Sequence, residues 1–156
     1  MDIPELLDIA IDLETQISMF YSRIAERSGD PSIATRLKTL VNEELNHARA
    51  IRRNKKYYNE EYPDVFPGIM VDVNKARIEL EEVKTFYSSF EPGGIPLLDG
   101  LKKILELEKG FGEIHQATSV AITEPSLKRL FIRLAGRDQS HILVLKGLIE
   151  SLGGNG

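Results

Sequence analysis

The stretch EELNH, residues 43–47, sets a histidine three residues after a carboxylate, Glu44, and RDQSH, residues 137–141, repeats that spacing with Asp138 and His141. The chain has only three histidines in 156 residues, so two of them stand in one relation to an acid. Residues i and i+3 share a helix face, and each pair points one way if its surroundings are helical. Around the first pair, Ile33, Leu37, Leu40, Val41, His47, Ala48 and Ile51 recur at helical spacing, which predicts a helix over residues 31–57.

Working outward, the pairs belong to an internal repeat. A shift of 94 residues carries Pro31-Ser32 onto Pro125-Ser126, Glu44 onto Asp138 and His47 onto His141. The same shift carries Glu14 onto Glu108. It also selects between the two acids of EELNH, because Glu43 falls on Arg137 whereas Glu44 falls on a carboxylate.

The repeat lies in a helical chain. Pro4 and Glu5 suit a helix start, and Leu7, Ala10, Ile11, Ile17, Tyr21 and Ile24 continue one face, predicting a helix over 4–27. SGDPS (28–32) ends it and starts the next, with Pro31 in a tolerated first-turn place. Further helices are expected over 95–122 and, after TEPS (123–126), over 125–152. Residues 58–94 form a long connection, broken by YPDVFPG and EPGG, with an intermediate helix near 73–87. Two short connections around a long one predict an all-α fold: a four-helix bundle of two antiparallel pairs joined by a crossover, a single domain over 1–156.

Composition narrows the function. The chain is 42% apolar and 28% charged, ordinary for a globular protein, and its net charge of −4 argues against nucleic acid. It has no cysteine, which excludes disulfides, iron–sulfur clusters and thiol chemistry. No apolar run is long enough to span a membrane, and MDIPELLDIAIDLE lacks the pattern of a secretory leader, so a cytoplasmic protein is expected.

Glu14 lies seven residues after Leu7 and seven before Tyr21, inside the apolar stripe. Glu108, among Leu101, Ile104, Leu105 and Phe111, does the same in the third long helix. Four carboxylates and two imidazoles are thereby aimed into one core. Burying a lone carboxylate costs several kcal/mol, and four would repel one another. Two divalent cations would balance the four charges, and His47 and His141 would supply one neutral nitrogen to each. The expected metal ligands are Glu14, Glu44, His47, Glu108, Asp138 and His141.

With these motifs the chain resembles the ferritin-like superfamily on its rubrerythrin and erythrin side, whose di-iron site takes one carboxylate from each of two helices and Glu-x-x-His from each of the others. The resemblance covers residues 5–57 and 95–150 and extends to Tyr21, seven after Glu14. It implies two iron ions, with manganese or zinc as chemical alternatives. It further implies reduction of hydrogen peroxide or dioxygen, with electrons from an external donor. Ferroxidase activity or non-catalytic metal binding are the other readings. This sequence departs from the family where Asp138 replaces a glutamate. It departs again where Phe111 stands in place of a further glutamate, and in having no cysteine for a rubredoxin module.

Lesser features are read beside these. His115 takes the place matching Tyr21, as a proton donor behind the metals or as a hydrogen-bonded core histidine. Gly112 and Ser18 match one another, leaving room for a small oxidant or letting helices pack closely. RAIRRNKK (49–56) steers anions or offsets the helix dipole, and KARIELEEVK (75–84) is expected to be a solvated face. Tyr57, Tyr58, Tyr62 and Phe66 are read as exposed aromatics of a homodimer interface.

Overall fold

The computed structural model describes residues 3–61, 74–89 and 95–153, and those residues are all-helical, with no strand among them. Five helices follow in order: α1 Ile3–Arg27, α2 Pro31–Glu61, α3 Asn74–Ser89, α4 Leu97–Ala121 and α5 Pro125–Ser151.

The repeat extends to the helix starts. Asp30 Oδ1 accepts from the amides of Ser32 at 2.7 Å and Ile33 at 3.4 Å, capping α2. Glu124, 94 residues on, accepts from the Leu127 amide at 2.6 Å and caps α5. Each cap satisfies amides that a helix leaves without an internal partner, for about 1 kcal/mol.

Side-chain partners set the directions. Asp8 bonds Lys55, and Glu14 lies beside His47, so α1 and α2 run antiparallel across the short turn at residues 28–30. His115 meets Asp138, and the turn at 122–124 likewise folds α5 back along α4. Tyr21 reaches Glu108, and His115 reaches Glu14, which sets α1 antiparallel to α4. Glu43 and Glu44 face His141, which brings α2 against α5.

α3 corrects one expectation. Ala76, Leu80 and Val83 fall on one helical face and are buried, while Arg77, Ile78, Glu81 and Glu82 stay exposed. The segment is therefore amphipathic, not a solvated face. Phe86 meets Phe20 edge-on at 5.3 Å, and the Arg23 guanidinium lies 4.3 Å from the centre of the Tyr87 ring. Arg77 bonds Glu5, and Lys75 bonds Glu113. α3 thus lies against α1 and α4, parallel to the first.

A second correction falls at the end of α2, which continues to Glu61 instead of ending near residue 57. Tyr58, expected to be exposed, is buried. It lies seven residues, two full turns, after the buried Ile51 and so shares its face. Its hydroxyl bonds Glu124, tying the end of α2 to the start of α5, and burial together with that bond pushes the phenol up to about 12. Tyr57 is exposed as expected, whereas Tyr62 and Phe66 lie outside the described residues.

The apolar interior comes in two parts. One gathers Leu13, Ile17, Ile24, Leu37, Leu40, Leu101, Ile104, Leu145 and their neighbours. The other gathers Leu7, Ala10, Ile11, Ile51, Tyr58, Ile122, Leu127, Phe131 and Leu134. Each large side chain so buried contributes about 1.5–3 kcal/mol. Along α2 and α5 the changeover between the two falls at Glu44 to His47 and at Asp138 to His141. No helix among the described residues is long and apolar enough to cross a membrane.

Candidate metal centre

All six residues expected as ligands come together at that changeover. Glu14, Glu44, Glu108, Asp138 and His141 are each 1% exposed, and the His47 side chain is 11% exposed. His47 Nδ1 lies 3.2 Å from Glu44 Oε2 and 3.4 Å from Glu14 Oε2. His141 Nδ1 lies 2.6 Å from Glu44 Oε1 and 3.4 Å from Glu108 Oε1. Glu44 therefore stands between the two histidines, whose rings are nearly parallel at 13° with centroids 5.6 Å apart.

The sequence-level shift also describes how the halves cross. Tyr21 on α1 donates to Glu108 Oε1 on α4 at 2.5 Å. His115, its counterpart on α4, puts Nε2 3.3 Å from Glu14 Oε1 on α1. His115 is thus inside the cluster and buried, and all three histidines of the chain meet there. Its Nδ1 bonds Asp138 Oδ2 at 2.6 Å.

One participant was missed. His141 Nε2 lies 2.7 Å from Glu43 Oε2 on α2, a carboxylate 37% exposed. The shift of 94 sets Glu43 against Arg137 and so passes over it, since the contact lies between helices and leaves no mark in either helix's period. A carboxylate behind a histidine fixes which ring nitrogen carries the proton and frees the other as a ligand.

The charges explain the protonation. Burial, reinforced by Glu44, pushes the Glu14 carboxyl up to about 7. Burial alone would lower His47, but the carboxylates of Glu14 and Glu44 beside it outweigh that and raise the ring to about 10. Burial opposes His141 in the same way, and Glu108 with Glu44 raises it to about 12. His115 is raised against burial by Asp138, and Tyr21 is held well above the usual phenol value by burial and by Glu108. Without a cation, imidazolium charge compensates the carboxylates.

The donor atoms also fit a cation. Three sets, Glu14 with Glu44 and His47, Glu44 with Glu108 and His141, and Glu14 with His115 and Asp138, each offer ligand atoms within 4.8 Å of one another. Ligands at about 2.0–2.2 Å from one ion lie up to roughly 4.4 Å apart, so small side-chain shifts would close each set. Both Glu14 oxygens, Glu44 Oε1 and His141 Nδ1 are buried without a hydrogen-bond partner in the protein. His141 Nδ1 and Glu44 Oε1 sit 2.6 Å apart without hydrogen-bond geometry.

No protein-family model, curated protein or solved structure matches the chain.

Proposed function

We propose that this chain is a dinuclear metal protein built on a four-helix bundle of the ferritin-like kind. One ion would be held by Glu14, Glu44 and His47, and the other by Glu44, Glu108 and His141, with Asp138 in the same core. Within that class we propose the rubrerythrin-like chemistry, a di-iron oxidoreductase that reduces hydrogen peroxide. The carrying observation is the set of buried, unpartnered atoms on Glu14, Glu44 and His141. Each would cost about 1–3 kcal/mol if left unmet, and cations satisfy them together.

When bound, two ferrous ions supply one electron each, so that peroxide with two protons becomes two waters, and an external donor returns the electrons. The chain's own residues prepare the place for this. Tyr21 keeps its proton on the hydroxyl, held against Glu108. His115 holds a proton at Nδ1 against Asp138. The two apolar clusters keep bulk water from both ends of the core. Between α4 and α5 a surface groove includes Gly112, Ala135 and Gly136 among its lining residues. A β-carbon at Gly112 would sit 3.6 Å from Asp138 Cβ, so the groove wall at Gly112 lies against Asp138.

Stopped-flow absorbance of the ferrous protein tests the reaction. Oxidation is expected to run faster with peroxide than with an equal concentration of dioxygen. Faster oxidation by dioxygen with retention of ferric iron would favour iron handling instead. Ferrous protein inert to both would favour a non-catalytic metal-binding module, a reading that draws on the tie between Asp138 and His115.

A further inference from the structure

We propose that His115 is itself a metal ligand through Nε2, and that Asp138 is a positioning residue that orients it. The ion beside Glu14 is then held by Glu14, Glu44, His47 and His115. This rests on the dinuclear reading above and changes which residues complete it.

His141 supplies the pattern. One of its nitrogens is 2.7 Å from a carboxylate, Glu43, and the other is directed at Glu44 and Glu108. His115 is connected in the same way with its nitrogens exchanged. Nδ1 bonds Asp138 at 2.6 Å, and Nε2 is directed at Glu14 Oε1, 3.3 Å away. A neutral imidazole has one N–H and one lone pair, so a carboxylate holding the proton at Nδ1 leaves the lone pair on Nε2.

Glu14 Oε1 supplies the second observation. It is fully buried and has no hydrogen-bond partner, although His115 Nε2 is only 3.3 Å away. Two buried donors that close, and not bonded to one another, are what a shared cation requires. Asp138, in contrast, has already committed Oδ2 to a short bond. Among the described residues, Asp138 and His115 converge on Glu14 together, and neither belongs to the sets built on Glu44.

The shorter side chain then has a reason. A glutamate at 138 would be one methylene longer, as Glu44 is, and would reach toward the ions. The aspartate stops at His115 and hands the ligand role to the imidazole. The two ions become unlike: one has two nitrogen donors and the other has one. Imidazole donors favour later first-row metals, so zinc or cobalt should fill the position beside Glu14 first.

The test is proton NMR of the wild-type chain loaded with Co(II), with histidine nitrogens labelled. Ligand histidines place their remaining N–H close to a paramagnetic ion, giving strongly shifted signals that vanish in D2O. Three such signals are expected, one each from His47, His115 and His141. Two signals would overturn the inference. Variants test it from the other side through Co(II) titration. His115→Gln is expected to lose one of three signals and one ion. Asp138→Asn, which can still accept from Nδ1, is expected to keep three signals and both ions, with one bound roughly 10–100-fold more weakly. Loss of an ion in Asp138→Asn, with two ions kept in His115→Gln, would return the ligand role to Asp138. Wild-type chain holding fewer than two Co(II) ions would instead refute the dinuclear reading itself.

Discussion

The helix pair α1–α2 and the pair α4–α5 share apolar framework, caps and the position of the first carboxylate, but they part at three polar places. Glu43 faces Arg137 in the repeat, Glu44 faces Asp138, and Tyr21 faces His115. Each difference has a structural consequence. Glu43 reaches across to His141, whereas a guanidinium in its place has no acceptor to offer His47. Glu44 is long enough to lie beside both His47 and His141, whereas Asp138 ends at His115. Tyr21 and His115 each cross to the first carboxylate of the other half, one with a hydroxyl and one with a ring nitrogen. A repeated scaffold fixes where side chains arrive, and small changes at matched positions decide what each half does there.

The largest expected effect comes from the residue that serves both halves. Glu44→Ala should abolish metal binding altogether, from two ions to none, measured by elemental analysis after anaerobic loading and desalting. Retention of one ion would mean that the halves bind independently.

Breaking one half alone should do less. Glu43→Gln should weaken one ion roughly 10–100-fold in a chelator competition by loosening the hold on His141. An unchanged affinity would reduce Glu43 to a surface partner.

Protonation gives the third effect. Protonated Glu14 favours the folded, metal-free chain, a contribution complete below about 4.5 and lost as pH rises through about 7. Protonated His47 and His141 favour it too; that share is complete below about 6.5 and lost as pH rises through about 10 and about 12. Metal-free protein should therefore lose several kcal/mol of stability between about pH 5 and about pH 9 in urea titrations. Metal-loaded protein should show the opposite slope, because cations take the place of those protons. Parallel slopes would separate the histidines from the metal.

The asymmetry of the hydroxyl is subtler. Tyr21→Phe leaves buried Glu108 without its donor and should cost about 1–3 kcal/mol in the metal-free chain. The smallest effect is expected at the position matching Glu43. Arg137→Gln should leave both affinities unchanged, and a large loss there would mean that the two halves are more alike than their residues indicate.

Much of this was legible in the residues. The i, i+3 spacing of Glu44 with His47, the interruption of apolar stripes by Glu14 and Glu108, and the shift of 94 are all periodic, and helices turn period into direction. What escaped depends on which helices become neighbours. His115 and Asp138 are 23 residues apart and His141 and Glu43 are 98 apart, with no period joining either pair. Burial of Tyr58 escaped for another reason, since its two-turn relation to Ile51 shows only once α2 is known to continue to Glu61.

The most direct test of the central claim is iron per chain after anaerobic Fe(II) loading and removal of excess. Close to two ions per chain, with helix content unchanged, is the expected result. Fewer than one in a folded chain would contradict a dinuclear centre and leave the buried carboxylates and histidines as a charge-compensated core.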